Sequence, residues 1–281
     1  MKPKIPFPAS SLIQKLYDEE KFSYLELTLP VAFGNKPLLE EEILLLANLI
    51  QASAHGHLCL EMKEEITLSE HLVEKVEEGQ IPNKPFCLWK NRLYLQRNWI
   101  LETKVLSEMK KERKPSPIFS ESIYFSKLKE MEKELNPSQA HAARKAFASP
   151  LFFLCGGPGT GKTYTARFLL ELFTESLLPG LSLHAAIAAP TGKAMMHLKE
   201  KIAPNREITA LTIHSLLRKS KPVLPYDLIF IDESSMIDIK LMASLLDAIS
   251  DETRVIFLGD PEQLPPVEAG SIFSDLITAY P

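Results

Sequence analysis

The chain has 281 residues, with 32 Lys+Arg against 36 Asp+Glu for a net charge of -4, and is 45% hydrophobic and 24% charged. That length suits about two domains, the apolar share supplies their cores, and the acidic balance excludes a generally basic protein that coats nucleic acid. No apolar run approaches the roughly 18 residues of a membrane span, residues 1–10 lack an apolar signal-peptide core, and Cys59, Cys87 and Cys155 have neither metal nor disulfide spacing, so a cytoplasmic protein without membrane contact is expected.

In chain order, leucines and isoleucines at helical spacing predict a helix over Leu39–Ala54, with Gly56 as its stop. His57–Met62 alternates and reads as a short strand. Pro85–Trp99 holds two strand-like runs around Lys90-Asn91, a hairpin candidate. Its Trp89, Tyr94 and Trp99, interleaved with Lys90, Arg92 and Arg97, fit a small core with the bases outward better than a nucleic-acid platform. Charge is uneven: residues 40–78 hold ten acids and two bases, whereas 84–114 hold nine bases and three acids. Two solvated faces explain this most simply; a docking surface of mixed sign is the sharper alternative.

Residues 110–117 (KKERKPSP) are basic and proline-punctuated, the best linker candidate. Beyond them the texture changes. Leu151–Cys155, Leu183–Ala189, Leu228–Ile231 and Val255–Leu258 are short, nearly all-apolar runs suited to strands buried on both faces of a parallel sheet. Thr163–Leu178 and Lys240–Ile249 read as crossover helices between them. The expected fold class is α/β.

Glycine marks the place to look for function. There are only 11, where average usage would give roughly 20, and four of them lie between Gly156 and Gly161. Gly156-Gly157-Pro158-Gly159-Thr160-Gly161-Lys162-Thr163 satisfies G-x-x-x-x-G-K-[ST] between an apolar strand and a helix. A loop wrapping a triphosphate turns its N–H groups inward, which requires unusual φ or no Cβ. Lys162 is expected on the β- and γ-phosphates and the Thr163 hydroxyl on Mg²⁺. Downstream, the apolar run Leu228–Ile231 ends in Asp232 and Glu233. There Asp232 suits the metal and Glu233 suits the proton of an attacking water. The cofactors expected are ATP and Mg²⁺.

Further polar turns follow apolar strands. Gly259–Pro266 contains Gln263, whose amide suits sensing of the γ-phosphate. Ala189–Ala194 carries Thr191, Gly192 and Lys193, and Thr212–Ser215 carries Thr212 and His214; both offer donors for a nucleic-acid phosphate. Lys199, Lys201, Arg206, Arg218, Lys219 and Lys221 follow as a possible phosphate track or a solvated surface. Asn136-Pro137-Ser138-Gln139 opens a helix, with Gln139 placed for an adenine edge. For each turn alone, a capped helix or a tight turn is the commoner explanation.

In this order the segments resemble the motifs of superfamily 1 helicases over roughly residues 135–281. Gln139 matches the Q motif, Gly156–Thr163 motif I, Ala189–Ala194 motif Ia, and Thr212–Leu217 the next DNA-contacting motif. Asp232–Asp238 matches motif II and Gly259–Pro266 motif III. Met236-Ile237-Asp238 and Val267-Glu268-Ala269-Gly270 are similar to the RecD family, the alpha subunits of exonuclease V, as are Gly56–Leu60 and Leu93–Trp99. The resemblance implies a RecA-like P-loop domain preceded by a smaller α+β domain. The boundaries expected are 1–114 for a partner-docking domain, 115–135 for a linker and lead-in helix, and 136–281 for the first motor domain. It also implies a DNA-stimulated ATPase moving 5′ to 3′ on single-stranded DNA beside the beta and gamma subunits of a RecBCD-type complex. The sequence shows no further carboxylate cluster with metal spacing, so any exonuclease activity is expected in another subunit.

Ser234 stands where that family often has alanine. The larger departure is that the sequence given stops at Pro281, after motif III, without the second RecA-like domain whose arginines reach the γ-phosphate. A C-terminal truncation is expected, with ATP binding but slow hydrolysis unless another chain supplies that domain. The alternatives are a non-enzymatic ATP-binding module that docks on partner subunits, and a stand-alone RecD-like helicase.

Overall fold

A computed structural model describes residues 2–34, 36–62, 66–204, 207–219, 223–263, 270 and 272–279. Two compact units divide them: one takes in the described residues up to Ser107 together with Gly270, and the other the remaining described residues from Glu108 onward.

The first unit opens with helices α1 (Ser11–Asp18), α2 (Tyr24–Phe33) and α3 (Glu40–Ala54). Ser10 and Ser23 cap the first two, and Ser23 forms a capping box with Glu26. A small mixed sheet follows, β1 (Cys59–Glu61), β2 (Val73–Lys75), β3 (Phe86–Trp89) and β4 (Arg92–Leu95), in the order β1-β4-β3-β2. The hairpin at Lys90-Asn91 forms as expected, with Lys90 at φ 54°. Successive residues of β3 and β4 point to opposite faces, and both faces are covered. Phe86 and Leu93 pack with Leu46 and Leu49 of α3, while Cys87 and Tyr94 pack with Trp99. Trp99 itself is helical: α4 (Gln96–Lys110) begins directly after β4, so residues 96–99 leave the strand pattern read for them. The Gln96 side chain donates to the Pro82 carbonyl at 2.6 Å, and buried Asn98 donates to Ser53 Oγ and the Leu58 carbonyl. These fixed polar contacts outweigh a local preference for extension. Arg92 and Arg97 are exposed, as the core reading required.

In the second unit the basic stretch read as a linker is anchored. The Arg113 side chain is 2% exposed and pairs with Glu108 at 2.8 Å, and Lys111 meets Asp251 at 2.7 Å. Helix α5 (Glu121–Met131) buries Tyr124 and Leu128, and the Tyr124 hydroxyl donates to the Ala143 carbonyl of α6 (Pro137–Ala148). The guanidinium of buried Arg254 lies 4.9 Å from the Phe147 ring centre, also faces Phe119 and Phe173, and donates to the Phe147 carbonyl. Burial among these rings lowers its pKa to about 10.

Five parallel strands form the sheet: β5 (Leu151–Cys155), β6 (Ala185–Ala189), β7 (Thr209–Thr212), β8 (Leu228–Ile231) and β9 (Arg254–Gly259), in the order β5-β9-β8-β6-β7. Every residue of β6, β8 and β9 is buried, the signature of strands covered on both faces. The covering helices include α7 (Lys162–Glu175), α8 (Gly192–Ile202) and α10 (Ile239–Ala248). Short α9 (Ile213–Leu217) and α11 (Ile272–Ala279) complete the described residues. This is the RecA-like P-loop α/β fold expected, preceded by a smaller α+β unit. Among the described residues no helix is long and apolar enough to cross a membrane.

Candidate nucleotide and nucleic-acid site

All five strands of the second unit run the same way, so their C-terminal ends share one edge, where open α/β sheets bind ligands. At the end of β5 the chain enters the glycine loop. Gly159 and Gly161 have φ of 74° and 87°, a region that side chains disfavour, and Gly161 hands the chain directly into α7. Lys162 Nζ turns back into the loop, donating to the carbonyls of Gly156 and of Gly157, the latter at 3.0 Å. Thr160 Oγ1 also donates to the Gly157 carbonyl, at 2.8 Å. Thr163 follows in the first turn of α7, half-buried. Gly157, Pro158 and Gly159 form the part of the loop before Thr160, and a Cβ at Gly157 or Gly159 would meet nothing within 4 Å. A cavity of about 1110 Å³ opens beside the loop, lined there by Ser138, Gln139, Gly156, Thr160 and Lys162.

One strand separates β5 from β8, so at a strand spacing of about 4.8 Å the two lie roughly 10 Å apart with β9 between them. The acidic pair sits at the tip of β8. Burial raises the Asp232 pKa, opposed by the Glu233 N–H bonded to its Oδ1 at 2.9 Å and by the charges of His197 and Lys162. Burial likewise raises Glu233, reinforced by Asp232 and Asp260 and opposed by Lys162 and His197. Glu233 adopts φ 51°, ψ 40°, a left-handed conformation that costs a non-glycine residue roughly 1–3 kcal/mol. The turn is over-determined: Ser234 Oγ donates to the Ile231 carbonyl at 3.0 Å, and Met236 N–H to the Glu233 carbonyl at 3.0 Å. Ser234, fully buried, thus uses the hydroxyl that alanine would lack.

At the tip of β9 the Gly156 N–H donates to the Gly259 carbonyl at 3.3 Å, joining the loop to this strand. Asp260 is 3% exposed and accepts from the Glu262 N–H. Gln263 is exposed in the same turn, its N–H donating to the Asp260 carbonyl. Sequence reasoning gave no role to Asp260 or His197. The position of Asp260 directly after Gly259 at a strand tip was the available signal; His197, mid-helix in α8, carried none.

The two turns read as DNA contacts end the neighbouring strands β6 and β7, whose register pairs Ala189 with Thr212. Both threonines act as helix caps: Thr191 Oγ1 accepts from the Ala194 N–H and Thr212 Oγ1 from the Ser215 N–H. Gly192, Lys193 and His214 are exposed. Of the suggested phosphate track, Lys201, Arg218 and Lys219 are exposed and Lys199 is half-buried, while Arg206 and Lys221 lie outside the described residues, as do Leu264–Ala269.

These residues fit Mg·ATP. The loop concavity holds Lys162, and Thr163 and Asp232 offer the hard oxygen ligands that Mg²⁺ takes. Among the described residues no group of three or more His, Cys, Asp or Glu side chains could hold a metal ion.

The family described as AAA domain matches residues 134–281. The chain belongs to that family. It is also RecD-like. The RecBCD enzyme subunit RecD of Mycolicibacterium smegmatis is 39% identical over 164 residues, 50% of this chain and 30% of that protein. The RecD subunit of Haemophilus influenzae is 34% identical over 227 residues, 68% of this chain and 35% of its own, a match that necessarily reaches upstream of residue 134. An ATP-dependent RecD2 DNA helicase of Deinococcus radiodurans is 38% identical over 161 residues, 54% of this chain and 21% of its own. The chain thus spans about a third or less of the length of these relatives.

Proposed function

We propose that these residues form the nucleotide-binding half of an ATP-driven motor that moves 5′ to 3′ on single-stranded DNA, as the helicase subunit of a cytoplasmic exonuclease V-type complex. The observation that carries this reading is the meeting, on one sheet edge, of the glycine loop, the Asp232–Glu233 pair and the Gln263 turn. Lys162 exchanges its loop carbonyls for the β- and γ-phosphates. A water attacks the γ-phosphorus, Glu233 takes its proton, and the bond from that phosphorus to the β,γ-bridging oxygen breaks to leave ADP. A raised pKa suits Glu233 to that proton. Thr163 and Asp232 would hold Mg²⁺, which supplies charge neutralisation at the phosphates when bound. Gln263, on the turn after β9, senses the γ-phosphate, and Thr191, Gly192, Lys193, Thr212 and His214 bind the DNA backbone.

Within residues 1–114 it is the first unit, up to Ser107, that docks the beta and gamma subunits, a reading supported by exposed Leu25, Phe33 and Leu39 at 62%, 55% and 63%. A motor of this design takes an arginine from a second domain, a group worth about 10³–10⁵ in rate in related NTPases. The 281-residue chain alone therefore binds Mg·ATP and turns it over slowly. The test measures ATP affinity and turnover with and without single-stranded DNA, in the wild type and in Lys162→Ala. Binding that is lost in Lys162→Ala, with slow turnover, is expected. Failure to bind ATP overturns the whole reading, and fast DNA-stimulated turnover abolished by Lys162→Ala overturns the need for a second domain.

A further inference from the structure

Helix α11 buries Ile272, Phe273 and Leu276, which fall on one face at helical spacing, and the Phe273 ring is fully covered. That ring lies 5.8 Å from Phe153 of β5, centre to centre, and sits over the last residue of β9. Gly259 does not have a positive φ, so glycine is needed there for space. A Cβ at Gly259 would meet Cζ, Cε1 and Cε2 of Phe273 within 3.0 Å. Phe273 therefore fills a notch that glycine leaves open. Its neighbour Ser274 donates from Oγ to the Pro261 carbonyl at 3.2 Å. Two contacts thus join α11 to the edge that carries the chemistry. One is at Gly259, whose carbonyl accepts from the Gly156 N–H of the glycine loop, and the other is in the turn of Gln263. The helix also lies against the Ser234–Met236 turn that follows Glu233.

Pro261, Glu262 and Gln263 are exposed, so their own side chains add little packing to fix the turn. The bonds inside it, from the Gln263 N–H to the Asp260 carbonyl and from the Glu262 N–H to Asp260 Oδ1, set its shape. Its height above the sheet is set from beneath, at the Gly259 notch and the Pro261 carbonyl. A side chain that reads a γ-phosphate has little latitude, since a displacement of about 1 Å takes a bond of about 2.9 Å out of range. Resting on the reading above that Gln263 senses the γ-phosphate, we propose that Phe273 and Ser274 are positioning residues. From α11 they hold the Asp260–Gln263 turn in place and so set how much the γ-phosphate adds to nucleotide affinity.

The experiment uses the full chain as wild type, Ser274→Ala, Ser274→Thr, Gly259→Ala, Phe273→Leu and the double variant Gly259→Ala/Phe273→Leu. For each, the nucleotide-free melting temperature is measured, with the affinities for Mg·ADP and for Mg·AMP-PNP, an analogue that keeps the γ-phosphate and resists hydrolysis. Ser274→Ala loses one neutral hydrogen bond and should lower the AMP-PNP-to-ADP affinity ratio about threefold, and threonine, which keeps the hydroxyl, should preserve it. Gly259→Ala forces the ring aside, an overpacking that should lower the ratio about tenfold and the melting temperature with it. Leucine lacks the three ring atoms that the new methyl would strike. Phe273→Leu alone should therefore melt below wild type, yet added to Gly259→Ala it should raise both the melting temperature and the ratio. A general loss of stability would weaken both nucleotides together, so the ratio separates positioning from mere support. A ratio within about twofold of wild type in Ser274→Ala or in Gly259→Ala overturns the proposal, as does a double variant that melts no higher than Gly259→Ala. If Gly259→Ala does not fold, folding of the double variant supports the notch and Ser274→Ala decides the rest. If the wild type binds neither nucleotide, the function proposed above has failed and the role of α11 at the γ-phosphate falls with it.

Discussion

The two units use sheets of similar size for different ends. The four strands of the first are three or four residues long and mixed in direction, so their tips share no common edge. Several polar groups are buried and satisfied there: Glu42, 1% exposed, accepts from both the N–H and the hydroxyl of Ser69 at 2.6 Å. The five strands of the second run in parallel, and three of them are buried throughout. A parallel sheet aligns every strand exit, so polar loops collect at one edge while the apolar body keeps them in register. Chemistry therefore concentrates in the unit whose strands carry the least polarity.

The comparison can be broken at its strongest point with Phe230→Ala in the central strand β8. Truncating that fully buried ring is expected to cost about 3–5 kcal/mol. Trp89 and Trp99, the only tryptophans, both belong to the first unit, so their emission reports that unit while far-UV circular dichroism reports both. In urea, the dichroism midpoint of the variant should fall more than the emission midpoint; equal shifts would show that the chain unfolds as one body. A smaller loss follows in the first unit from Glu42→Ala, which leaves two donors of Ser69 without their acceptor. About 1–3 kcal/mol is expected, read by tryptophan emission. No change would remove Glu42 from the supports of that unit.

The smallest effect is a gain. Burial raises the Asp232 pKa, so the folded chain binds that proton more tightly than the unfolded chain. Below its ordinary 3.8 the carboxyl is protonated in both states and folding bears no charge penalty. As pH rises through the folded value, the penalty grows to its full size. Asp232→Asn should therefore raise the nucleotide-free melting temperature at neutral pH, with the gain vanishing at acid pH. A loss at neutral pH would mean that the ionised carboxylate stabilises the fold.

The strands of the second unit were legible because burial on both faces leaves an unmistakable apolar run. Leu151–Cys155 and Leu228–Ile231 form strands with the bounds read for them. Strand β7, Thr209–Thr212, escaped notice because it lies at the sheet edge, half-buried throughout, with a polar residue at each end. The start of α4 at Gln96 was equally hidden, since contacts to residues distant in sequence set it. At the site, the glycine loop and the acidic pair were visible as motifs. The left-handed turn at Glu233 and the bond from Ser274 to the turn of Gln263 were not, because backbone angles and hydrogen-bond partners leave no mark on residue type. That the hydroxyls of Thr191 and Thr212 cap helices was foreseeable from their place before helical segments.

Strand β9 sets a limit on how the chain tolerates change. It is hydrogen-bonded to β5 on one side and β8 on the other, and a side chain at its last residue, Gly259, would stand 2.4 Å from the ring of Phe273. Inserting or deleting one residue within it would turn every following side chain to the opposite face and alter its alignment with both neighbours at once. Length variation is absorbed readily in connecting loops. In β9 it would misplace the phosphate loop and the acidic pair together, so the spacing from Arg254 to Asp260 is fixed more tightly than the identity of most residues within it.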